Sequence, residues 1–100
     1  MPVIHHIALV QFKPGVSQGQ IEAIFAQLKS LKDRIPGILD FSSGRNNSHE
    51  GLTGGFTHGF IMTMQSAAAR DAYLTHPEHE KVKAIALPKV ENIVVFDYEA

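Results

Sequence analysis

From Ile4 to Phe12 the chain is almost unbroken in apolar and β-favouring residues, and Pro14-Gly15 stops the run. Such a segment bounded by a Pro-Gly pair predicts a strand. Alternation puts His6, Ala8, Val10 and Phe12 on one face and Ile7 and Leu9 on the other. Both faces are mostly apolar, so both need a cover. Ser17 and Gln20 then stand at capping-box spacing. Ile21, Ile24, Phe25, Leu28 and Leu31 follow at the i, i+3, i+4, i+7 spacing of an amphipathic helix, which Pro36-Gly37 ends. Ile38 to Ser43 predicts a short strand, and Gly44 to Gly55 a polar loop punctuated by glycine, the most mobile part of the chain by composition.

Phe56 to Met64 alternates again, with His58, Phe60, Met62 and Met64 on one face and Thr57, Gly59, Ile61 and Thr63 on the other. Ser66 can cap a helix from Ala67 to Leu74. Pro77, followed by Glu78 and Glu80, suits the first turn of a further helical stretch to about Ala86. Val90 to Tyr98 is the last strand, with Ile93, Val95 and Asp97 opposite in face to Val94, Phe96 and Tyr98. The order β-α-β-β-α-β predicts an α+β, ferredoxin-like fold. Helices cover one sheet face. The other carries Ile7, Leu9, Ile61, Val94 and Phe96, and no element of the chain remains to hide it. A contiguous apolar patch of that kind marks a partner surface, and a homodimer is the expectation.

Composition narrows the function. One hundred residues form one domain, spanning 1–100, and at that size only about 60–65% of the unfolded chain's surface is buried, so association enlarges a modest core. The formal charge is −1 and the basic residues are scattered, which argues against nucleic acid as a partner. There is no cysteine, which removes disulfides and thiolate chemistry and suits a cytoplasmic location. The opening residues lack a basic region followed by a long apolar one, and no apolar run exceeds four residues. Neither a signal peptide nor a membrane span is expected.

Six histidines concentrate the candidate chemistry. His6 and His58 begin the helix-facing sides of their strands and Asp97 ends that side of the last one, so the three are expected to converge at one end of a cavity between sheet and helices. Tyr73 and His79 stand above it in the run Tyr-Leu-Thr-His-Pro-Glu-His. A phenol and an imidazole facing one cavity can serve as proton donor and general base, and a carboxylate can fix an imidazole's tautomer. The same residues also suit plain packing, with Tyr73 filling a helix interface and His79 bonding to backbone. His76 and His79 have a spacing that metal sites use, but His76 suits a helix cap before Pro77 and no acidic pair completes a set. No metal site is expected, and no cofactor. Gly51, Gly54 and Gly55 do not form a phosphate-binding fingerprint.

Four segments together carry a resemblance across nearly the whole chain: His6 to Lys13, Gly55 to Phe60, Tyr73 to His79, and Phe96-Asp97-Tyr98. The chain resembles the stress-responsive A/B barrel domain family, most specifically in its Tyr-x-x-His-Pro-x-His run. The resemblance implies a ferredoxin-like monomer forming a dimeric α+β barrel. It brings in heat-stable plant stress proteins and a plant polyketide cyclase, in which an aldol ring closure belongs to a tyrosine and a histidine matching Tyr73 and His79. The supporting pocket residues of that cyclase match His6, His58 and Asp97. Ala8, Val10, Phe25, Leu28, Phe60 and Val82 are the expected apolar wall. Leu28, Val82 and Val90 stand where the cyclase has bulky aromatics, so the cavity and its small-molecule ligand should differ. Three activities fit: cofactor-free acid/base chemistry such as cyclisation, ligand binding or stress protection by a non-enzymatic dimer, and a cofactor-free monooxygenase-like oxidation.

Overall fold

The computed structural model describes residues 2–100. Four strands, β1 (Ile4–Phe12), β2 (Ile38–Arg45), β3 (His58–Met64) and β4 (Val90–Glu99), form an antiparallel sheet in the order β2-β3-β1-β4. Three helices, α1 (Gln18–Ser30), α2 (Ala67–Leu74) and α3 (Pro77–Ala86), pack on one of its faces. This is the ferredoxin-like arrangement, and the doubly apolar β1 takes an inner position between β3 and β4.

Local chemistry sets the helix ends. Ser17 Oγ accepts from the Gln20 amide at 3.1 Å and Gln20 Oε1 from the Ser17 amide at 2.9 Å, which closes the capping box of α1. Ser66 Oγ accepts from the Ala69 amide at the start of α2. Proline cannot donate the hydrogen bond that would continue α2. His76 instead caps α3, its Nδ1 accepting from the Glu78 amide at 3.1 Å. After α1 a single 3₁₀ turn, Leu31–Asp33, leads to Gly37, whose φ of +94° favours glycine.

The buried stripe of α1 meets the helix-side residues of the sheet: Ile4, Ala8, Val10, Met62 and Met64 all fall below one-tenth exposure. Three departures from the sequence pattern have local causes. β2 runs two residues further than its apolar part, to Arg45, because Gly44 and Arg45 still pair with Gly59 and His58. A bulge between Ile38 and Asp40 lets Ile38 and Phe41, three apart, both face the core. β3 starts at His58 rather than Phe56, since the Phe56 amide turns back to the Thr53 carbonyl.

On the far face the cross-strand rows read Ile61–Ile7–Phe96 and Gly59–Leu9–Val94. Phe96 is 63% exposed there, and Leu9, Val94 and Tyr98 are exposed beside it. β4 lies at the sheet edge, and its helix-side residues are not covered as the alternation implies: Ile93 is 41% and Val95 54% exposed. No helix among the described residues is long and apolar enough to cross a membrane.

Candidate functional site

Under the helices, beside the uncovered part of β4, lies a cavity of about 380 Å³. That is within the range of small-molecule pockets, roughly 300–1,000 Å³. Its wall is overwhelmingly apolar. His6, Ala8 and Val10 from β1, Phe60 from β3, Phe25 and Leu28 from α1, Tyr73 from α2, and His79 and Val82 from α3 all line it. Phe12, Ile24, Leu74, Ala86, Leu87, Val90, Ile93 and Val95 complete the apolar wall, and Lys83 adds a single ammonium.

Two side chains dominate its inner end. The His79 ring stacks on the Tyr73 ring at 4.0 Å between centroids and 20° between planes. The break at Pro77 makes this possible, since it turns α3 back so that residue 79 faces residue 73. His79 Nδ1 lies 3.2 Å from the Tyr73 carbonyl oxygen. A carbonyl only accepts, so Nδ1 carries the proton and Nε2 keeps its lone pair. Burial, and secondarily the Lys83 ammonium, hold the His79 imidazole below the usual histidine range. It is therefore a neutral base at physiological pH.

The Tyr73 side chain is only 1% exposed and its hydroxyl has no hydrogen-bond partner among the described residues. Burial pushes its pKa up, so the phenol keeps its proton. A buried hydroxyl left unpaired costs about 1–3 kcal/mol.

Asp97 and His58 sit differently from the sequence expectation. His6 and Asp97 face each other across β1 and β4, and His6 Nδ1 lies 2.7 Å from Asp97 Oδ1. The His6 ring meets the Tyr73 ring edge-on at 5.7 Å. Asp97 thus stands behind His6 and does not itself line the cavity. His58 does not join them. It pairs with Val10, four residues along β1 from His6, because β1 and β3 are antiparallel and their first residues lie at opposite ends. His58 packs between Phe12 and Phe25, with Nδ1 2.7 Å from Thr57 Oγ1. It lines a separate groove of about 460 Å³ between α1 and β2. Burial, with Arg45 adding to it, lowers its pKa.

Arg70 does not line the cavity, but it holds Asp97 behind His6, and sequence reasoning missed it. Its Nη1 donates to Asp97 Oδ2 at 2.9 Å and its Nε to Asp71 Oδ1 at 2.8 Å. The only trace in the sequence is its i, i+3 spacing from Tyr73, which puts both on one side of α2. His76 is occupied as a helix cap, and among the described residues no three His, Asp or Glu side chains cluster as metal ligands.

A family model described as the stress responsive A/B barrel domain matches residues 4–100. The stress-response A/B barrel domain-containing protein HS1 of Arabidopsis thaliana is 33% identical over 96 residues, which cover 96% of this chain and 88% of that protein. Olivetolic acid cyclase of Cannabis sativa is 25% identical over 95 residues, 95% of this chain and 94% of the cyclase. Among solved structures, the hydroxynitrile lyase from Passiflora edulis superposes with a TM-score of 0.91 at 27% identity, covering 98% of this chain and 93% of that one. A dimeric ferredoxin-like protein of unknown function from Jannaschia superposes with a TM-score of 0.87 at 26% identity, over 98% and 99% of the two chains.

Proposed function

The chain belongs to the stress-responsive A/B barrel domain family, and from that premise we propose that it is a homodimeric, cofactor-free acid/base catalyst acting on a small, largely apolar carbonyl compound. The observation that carries this reading is the stacked pair at the inner end of the apolar cavity. His79 offers a neutral Nε2, and Tyr73 offers a buried, still protonated hydroxyl with nothing else to donate to. His79 takes a proton from the carbon beside the carbonyl. Tyr73 donates to the oxygen on which charge develops, which favours the transition state over the neutral ketone. The proton then returns from His79 to carbon, or the enolate attacks a second carbonyl of the same molecule and the His79 proton passes to the alkoxide that forms there. Either way atoms and charge balance without a cofactor. Lys83 and the exposed side chains of β4 lie at the open flank, and the apolar wall takes the hydrocarbon part.

Two enzymes among the similar proteins, a cyclase and a hydroxynitrile lyase, support catalysis on this scaffold. The dimeric neighbour and the uncovered sheet face support the homodimer. The test needs no knowledge of the natural substrate. Deuterium incorporation at the α-carbon of medium-chain methyl ketones in D₂O is followed by NMR with the protein present. Exchange above buffer that falls about 10²- to 10⁴-fold in both Tyr73→Phe and His79→Ala is the expected result. Ketone binding with no enhanced exchange would instead mark a non-catalytic ligand carrier.

A further inference from the structure

We propose that Arg70 is a positioning residue that fixes the tautomer of His6 through Asp97, so that His6 presents a bare Nε2 to the cavity as a second proton acceptor beside His79. The inference rests on the acid/base reading of the cavity and adds to it a residue and a role.

Asp97 lies on the edge strand β4, partly open to water, where an unrestrained carboxylate turns freely. Here both oxygens are engaged, Oδ1 with His6 Nδ1 at 2.7 Å and Oδ2 with Arg70 Nη1 at 2.9 Å. The Arg70 guanidinium is anchored in turn, since its Nε donates to Asp71 Oδ1 at 2.8 Å. A planar guanidinium bridging two carboxylates has one orientation, and it imposes one on Asp97. Asp97 can only accept, so the His6 proton is held on Nδ1 and Nε2 is left as an acceptor.

The result is a pair of imidazoles treated alike by unrelated devices. His6 meets the Tyr73 ring edge-on and His79 stacks on it. Each has its Nδ1 engaged by the protein, His79 by a backbone carbonyl and His6 by Asp97. Both line the same cavity. While His79 takes the carbon-bound proton, His6 accepts a hydrogen bond from a hydroxyl on the same ligand, or takes its proton and gives it back to that oxygen when His79 returns its own. The ligand class is thereby narrowed to carbonyl compounds that also carry a hydroxyl or enol.

The test reads the tautomer directly. Histidine ring nitrogens are observed by ¹⁵N NMR in the full-length protein at about pH 8.5, where an ordinary imidazole is neutral. In the wild type His6 should show a proton on Nδ1 and a bare Nε2. Arg70→Ala should turn that single pattern into a mixture, Arg70→Lys should restore part of it, and His79 should not change in either. An unchanged His6 pattern in Arg70→Ala, or a wild-type His6 protonated on Nε2, overturns the proposal. Arg70→Gln, which keeps the stem and loses the charge, is read in the same way should the alanine variant lose its backbone spectrum. In the ketone exchange assay, with a hydroxy-ketone as probe, Arg70→Ala should lower kcat about 10- to 100-fold with KM unchanged. A disturbed tautomer with unchanged kcat would uphold the positioning of His6 and sink its part in proton transfer. Failure of the acid/base reading itself shows separately, as absence of exchange in the wild type.

Discussion

Tyr73 and His79 carry opposite proton assignments for one reason. Burial makes the phenol a reluctant acid and the imidazole a weak cation, so at neutral pH one holds its proton and the other lacks one. Tyr73→Phe deletes only an unpaired buried hydroxyl, and urea unfolding should show stability unchanged or raised by about 1 kcal/mol. A loss above about 2 kcal/mol would mean that the hydroxyl has a structural partner. Two of the three buried imidazoles also predict acid sensitivity. His79 and His58 both have folded pKa values below the ordinary 6.5, chiefly through burial, so the unfolded chain binds more protons than the folded one. Their contribution is fully present above about pH 6.5 and is lost as pH falls through the lowered folded values. Melting temperatures at fixed protein concentration should drop between pH 7.5 and 5.5, and the drop should shrink in His79→Gln. Equal slopes in the two proteins would remove His79 from the explanation. Glu78 and Glu80, held below the usual carboxylate range by Lys81 and Lys83, act only at lower pH. Which face each of these residues takes is legible in the sequence because alternation is a local property. Which end it takes is not: His58 lies away from His6 because that depends on strand pairing, and Arg70 escapes notice because it reaches from a helix to an edge strand.

At the scale of elements, most of what positions the site is written in short signals. Ser17 with Gln20, Ser66, and His76 before Pro77 each mark a helix start that the structure shows in place. The bulge in β2 has no such signal, since one extra residue in a strand changes neither composition nor length noticeably. The turn at Gly37 matters more than its size suggests. A Cβ there would stand 2.7 Å from the Cβ of Ala69, on a backbone already at φ +94°. Gly37→Ala should therefore cost about 1–3 kcal/mol through backbone strain, with overpacking against α2 added. Ala69→Gly in the same background removes the clash and leaves the strain. A double-mutant cycle should give a coupling above about 0.5 kcal/mol, and strict additivity would show that the clash relaxes elsewhere.

At the scale of the whole molecule, the far face of the sheet is the surface on which a homodimer is expected. It is apolar at its centre, where Ile61, Ile7 and Phe96 form one cross-strand row and Leu9 pairs with Val94 in the next. The helices are spent on the opposite face, which is why the alternation of β1 alone already demands a second cover. A standard interface buries about 800 Å² per partner, and apolar surface returns about 25 cal/mol per Å² on burial. Association must offset lost translational and rotational freedom, so only part of that gain appears as affinity. The variant that tests this must leave the protomer intact. Ile61 and Ile7 are half-buried within the protomer, and a charge at either would disturb folding as well as docking. Phe96 is 63% exposed on its own protomer, so Phe96→Asp loses little there and places an unpaired carboxylate in the seam if two copies meet. Sedimentation at micromolar concentration should show a dimer for the wild type and a folded monomer for Phe96→Asp, with the far-UV spectrum unchanged. A wild-type monomer, or a variant that remains fully dimeric, would move the interface off this face. The cavity gives the measurement a second use, since it opens beside β4, the strand that carries both Phe96 outward and Val95 inward. If the dimer braces β4, the monomeric variant should keep its fold and yet exchange ketone protons more slowly than the wild type.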